Sequence, residues 1–108
     1  MRTYRLQDVA AVIRSKNSGP FELTFDILFQ DDDIFTKVVD QNIFTKRTFA
    51  HLYKLQIADV ISVIHFHPAR ATKVTIIRPL PSGSIGERDV YGAQQHGPLM
   101  DFSFILEG

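Results

Sequence analysis

The chain has 108 residues, enough for one hydrophobic core and too few for two, so a single domain over residues 1–108 is expected. Hydrophobic residues make up 44%, nine Phe among them, which is more than a disordered chain carries. Twelve Lys plus Arg balance twelve Asp plus Glu, there is no Cys, and no apolar run is long enough to span a bilayer. These facts argue against nucleic acid and membrane as partners, and against thiol catalysis and thiolate metal sites; they point to a cytoplasmic protein.

Leu6, Val9, Ala10 and Ile13 fall at i, i+3, i+4 and i+7, which predicts a first helix over residues 6–13. Residues 14–20 (RSKNSGP) then read as a polar loop, punctuated by Gly19-Pro20. From Phe21 the apolar period becomes two, with Phe21, Leu23, Phe25, Ile27 and Phe29 on one side, the clearest strand in the chain. Asp31, Asp32 and Asp33 suit a helix N-terminus, where they meet free N–H groups and the positive dipole end. Ile34, Phe35, Val38 and Val39 give that second helix its buried stripe. Thr45 caps a third, with Phe49, Leu52 and Tyr53 facing inward and an end near Leu55.

Residues 60–67 (VISVIHFH) form a β-branched strand ended by Pro68, and Val74, Ile76 and Ile77 mark another that pairs antiparallel with it. Residues 78–100 read as one long excursion from the sheet, because Pro79, Pro81, Gly83 and Gly86 precede a polar, glycine-bounded segment, DVYGAQQHGPL. Residues 101–106 (DFSFIL) alternate as a last strand. The order predicts an α+β fold, a four-stranded, mostly antiparallel sheet with helices on one face, as in ferredoxin-like folds.

Three groups of side chains carry chemistry. Arg14, Ser15, Lys16 and Asn17 offer donors to a carboxylate or phosphate, although cations after a helix end are favoured by the dipole alone. Tyr91, Gln94, Gln95 and His96 supply a phenol, two amides and a candidate general base, His96; equally, they serve to tie the loop to its own backbone. His65 and His67, two apart on a strand, share a side but have no third ligand at a local spacing, so no metal and no cofactor are expected. If the strands at 21–29 and 101–106 are neighbours, residues 14–17 and 91–96 meet at one end of the sheet. Arg14 and Lys16 then hold His96 neutral beside a carboxylate.

At RSKNSGPFELTFDI, HPARATKVTIIRPLPSGS and DVYGAQQHGPLMDF the chain resembles the domain-of-unknown-function 4387 family of small bacterial proteins. Members of that family are similar to the C-terminal ferredoxin-fold region of acyclic terpene utilisation A (AtuA) proteins and often accompany a larger AtuA-like protein. Arg14 to Asn17 resembles in part the polar loop that AtuA-like domains carry before a strand. The resemblance implies a small subunit, or detached domain, of an AtuA-like assembly in carboxylic-acid or acyl-CoA catabolism, with a small carboxylate or acyl-CoA as ligand. It supplies no catalytic residues.

Three readings stand at this point. The chain is a subunit that docks on an AtuA-like partner and adds polar loops to a shared site, a stand-alone hydrolase, lyase or isomerase acting on a carboxylic acid, or a structural homo-oligomer. Association of some kind is expected, since nine Phe cannot all face inward in one small core.

Overall fold

Two antiparallel hairpins laid side by side form the centre of the computed structural model, which describes residues 1–19, 21–77 and 97–107. In chain order the elements are β1 (Arg2–Arg5), α1 (Leu6–Val9), β2 (Ala10–Asn17), β3 (Glu22–Phe29), α2 (Asp32–Asp40) and α3 (Lys46–Leu52). There follow β4 (Val60–Phe66), β5 (Ala71–Ile77), α4 (Gly97–Met100) and β6 (Ser103–Leu106). The main sheet runs β2-β3-β5-β4 with every pairing antiparallel, and β1 pairs antiparallel with β6 in a separate ribbon. The expected α+β class and four-stranded sheet are both present, while ferredoxin-like folds are built on split β-α-β units and this sheet is built from hairpins.

Two assignments change. The helix expected over residues 6–13 is a single turn, Leu6–Val9, and the chain is extended from Ala10. β2 has a full partner in β3, from Ala10↔Phe29 to Asn17↔Leu23, and that ladder outweighs the marginal stability of two turns of helix. A bulge between Ala10 and Val12 explains the misleading spacing. It turns both Ala10 and Ile13 inward, so a strand shows the three-residue interval of a helix. The second change is at residues 101–106. Their strand pairs with β1, Arg2↔Leu106 to Arg5↔Ser103, and not within the main sheet beside β3. β1 is an exposed RTYR segment without an apolar alternation, so nothing in its pattern announces a strand. The end of the expected excursion, Gly97–Met100, is a helical turn that buries Leu99; residues 78–96 lie outside the described residues.

Side chains of one sheet face and the helices make a continuous core. β3 contributes Leu23, Phe25, Ile27 and Phe29, and α2 and α3 contribute Phe35, Val38, Phe49 and Ala50. Phe44, in the α2–α3 connection, lies 6.4 Å from Phe29, 5.6 Å from Phe49 and 5.4 Å from Phe102 between ring centroids, so it joins sheet, helices and ribbon. The Gln41 amide closes the ribbon side: it donates to the Glu107 carbonyl at 2.7 Å and accepts from the Glu107 N–H at 2.9 Å. The helix starts are as expected, with the Asp31 carboxylate accepting from Asp33 N–H and the Thr45 hydroxyl from Thr48 N–H. The β2–β3 turn holds Gly19 at φ +121°, a conformation that side chains with a Cβ rarely adopt.

Candidate functional site

Register decides what the sheet face opposite the core displays. Across the strands, Val12, Leu28, Ala71 and Phe66 form one row, and Arg14, Asp26, Lys73 and Ile64 the next. A third row is Lys16, Thr24, Thr75 and Ser62. The first row is wholly apolar. Phe66 is 57% exposed and Ile64 54%, and Val12 and Ile77 are also exposed, an unusual amount of uncovered apolar surface for one side of a small sheet.

The polar rows beside it are organised. Arg14 Nε lies 3.2 Å from Asp26 Oδ2 across the β2–β3 pair, the sole ion pair among the described residues. Thr24 hydrogen-bonds through its hydroxyl to Ser18 and, at 3.4 Å, to Thr75, with Lys16 and Lys73 exposed on either side of β3.

Residues 14–17 are therefore an edge strand and not a loop after a helix. Alternation divides them: Arg14 and Lys16 stand on the open face, whereas Ser15 and Asn17 pair with the inward Phe25 and Leu23, and Ser15 is buried. The strand delivers two of the four expected side chains to one surface. Tyr91, Gln94, Gln95 and His96 lie outside the described residues, and with them the expected meeting of the two segments. The adjacency that motivated it, between the strands at 21–29 and 101–106, is replaced by the β1–β6 ribbon.

His65 and His67 both approach the Phe35 ring, at centroid distances of 6.4 and 5.1 Å. His65 Nδ1 is 2.9 Å from the buried Thr72 hydroxyl, and burial, with the positive charge of His67 as a second cause, holds its imidazole below the usual range. One ring nitrogen is thus engaged within the protein. Among the described residues no three His, Cys, Asp or Glu side chains are grouped to hold a metal. Tyr53 is packed 4.8 Å from Phe25 and parallel to Phe49, and burial pushes its phenol far up, so it stays protonated at neutral pH.

A second concavity lies away from the main sheet, between α3 and the ribbon. It is a cleft of about 750 Å³. Its apolar lining includes Ile43, Leu52, Phe102 and Phe104, and its polar lining includes Arg47, Thr48, His51 and Asp101. The sequence reading missed it because α3 was judged by its buried Phe49 stripe alone. The available signal was the i, i+4 spacing of Arg47 and His51, which sets both on one side of that helix.

The molecule thus belongs to the two-layer α+β proteins with one sheet face left open, and among the described residues no helix is long and apolar enough to cross a membrane. The pattern of a family described as Domain of unknown function (DUF4387) matches residues 6–103, and the chain belongs to that family. No curated protein and no solved structure matches the chain.

Proposed function

We propose that the protein is a small accessory subunit, or detached domain, that docks by its open sheet face on a larger AtuA-like protein in carboxylic-acid or acyl-CoA catabolism. The observation that carries the docking is the exposed pair Ile64 and Phe66 on edge strand β4, with exposed Val12 in the same row as Phe66 on the same sheet face. Full burial of a side chain of this size is worth about 1.5–3 kcal/mol, and Val12, Ile64 and Phe66 are already partly covered, so together they supply roughly a few kcal/mol toward the cost of association. The AtuA-like partner is suggested by the resemblance of residues 14–27, 67–84 and 89–102 to a family whose members accompany such proteins.

Arg14 stands in the row next to the apolar one and Lys16 in the row beyond it, on the same face, so a partner that covers three rows meets both cations. They are the side chains through which this chain contributes to a shared carboxylate or acyl-CoA site, Arg14 by its planar fork and Lys16 as a point charge. Co-expression with an AtuA-like protein tests the reading. The expected result is a complex of defined stoichiometry that survives gel filtration; separate elution of the two at micromolar concentration, or a homo-oligomer that leaves the AtuA-like protein unbound, contradicts it.

A further inference from the structure

We infer that the cleft between α3 and the β1–β6 ribbon is a binding site for an amphipathic monocarboxylate, with Arg47 as its anchor. Three observations carry this. The volume, about 750 Å³, is that of small-molecule sites, and the lining has their usual make-up of an apolar wall with a few convergent polar groups. Phe102 and Phe104, stacked 5.9 Å apart, together with Leu52 and Ile43, offer an aliphatic or aromatic body a dry surface.

The second observation is the position of Arg47. It lies in the first turn of α3, which contains no acidic residue, and cations there gain nothing from the helix dipole. Among the described residues the sole ion pair is Arg14 with Asp26, so Arg47 and Asp101 line one cleft without neutralising each other. Helix stability does not account for the guanidinium; an anion in the cleft does.

The third is the balance of donors. His51 is one turn on from Arg47 and adds a ring N–H, while the Thr48 hydroxyl is engaged with the Ile43 carbonyl at 3.0 Å and gives the ligand nothing. The guanidinium and the ring N–H can both donate to one carboxylate, while the Asp101 carboxylate in the same lining disfavours a dianion such as phosphate. The lining residues all lie outside the four-stranded sheet, so this site does not depend on the docking proposed above.

Titration of the full chain with octanoate, octanol and octylamine, followed by calorimetry and by NMR shifts of the α3 amides, tests the assignment. Octanoate is expected to bind saturably and at least about tenfold more tightly than octanol, since a hydrogen bond to a charged group contributes about 1.5–3 kcal/mol. Arg47→Gln should lower octanoate affinity by about tenfold or more and leave octanol unchanged. Arg47→Lys should retain part of the affinity, and Asp101→Asn should raise it by removing the repelling carboxylate. Both positions, Arg47 and Asp101, are exposed, and a far-ultraviolet spectrum confirms that each variant is folded. Equal binding of octanoate and octanol, preferential binding of octylamine, absence of saturable octanoate binding, or an equal loss from Arg14→Gln would overturn the proposal.

Discussion

Arg14 and Asp26 are directly opposed across the β2–β3 pair, and the guanidinium Nε reaches the carboxylate at 3.2 Å on the face of the sheet that carries no helix. The pair is unequal in its surroundings, with the Arg14 side chain 63% exposed and that of Asp26 only 19%. Solvent therefore screens most of the attraction on the arginine side. Arg14→Ala is expected to change unfolding free energy by about 0–1 kcal/mol, as for other exposed pairs, while weakening capture of an AtuA-like partner. Urea unfolding and a pull-down with the same variant separate the two effects. A loss of stability as large as that of a core substitution would mean that the pair is structural.

Gly19 should not tolerate a side chain even though space is free around it. A Cβ built there meets nothing within 4 Å, so the cost of Gly19→Ala is conformational, arising from φ +121° in the β2–β3 turn. Strained backbone of this kind costs about 1–3 kcal/mol, and a matching fall in the urea midpoint is expected. An unchanged midpoint would show that the turn relaxes to another form.

Phe44 is the ring through which main sheet, helices and ribbon share one core, and it is 2% exposed. Phe44→Ala should cost about 3–5 kcal/mol, a large part of the ~5–15 kcal/mol available to a domain of this kind. Phe21→Ala, at a position 57% exposed, should stay within about 0.5 kcal/mol of the parent. Parallel denaturation of the two variants checks the contrast.

Stability should depend on pH through His65. Burial, assisted by the charge on His67, lowers its pKa in the folded protein, so the unfolded chain binds the proton more readily. The contribution is therefore complete above the unfolded value of about 6.5 and is lost as pH falls below it, through the folded value. Unfolding free energy is expected to decline from pH 7.5 to 5.5, and His65→Gln, which keeps a group able to bond the Thr72 hydroxyl, should flatten that decline. An identical slope in the variant would place the titration elsewhere.

How much of this was legible in the sequence depended on whether one face of a segment meets one partner. β3 is the clear case: its period of two is unbroken because Leu23, Phe25, Ile27 and Phe29 all enter one core. The caps at Asp31 and Thr45 were legible because they satisfy N–H groups within three residues. β2 was not, since its bulge imitates helical spacing and its true partner is a hairpin neighbour that no local pattern reveals. β1 was missed for the opposite reason, as Arg2, Thr3 and Arg5 are all exposed. Of the candidate site, the cations Arg14 and Lys16 were visible, but their separation from Ser15 and Asn17 follows from strand alternation and needed the correct element. Of the cleft, the i, i+4 pair Arg47 and His51 on α3 was legible, whereas its opposite wall, Asp101 to Phe104, comes from a distant segment that no local pattern joins to α3.

The docking claim turns on the two exposed side chains of β4. Binding of an AtuA-like partner should be measured for Ile64→Asp and Phe66→Asp beside Ile105→Asp, an apolar residue of the ribbon that is 50% exposed and off the main sheet. Each substitution is at an exposed position, so the fold is expected to survive, and calorimetry on the purified partners reads affinity directly. Loss of binding by about tenfold or more in the two β4 variants, with Ile105→Asp unchanged, is the predicted result, since a charge placed in an apolar interface must be desolvated. Unaltered affinity in both β4 variants would contradict the open sheet face as the docking surface.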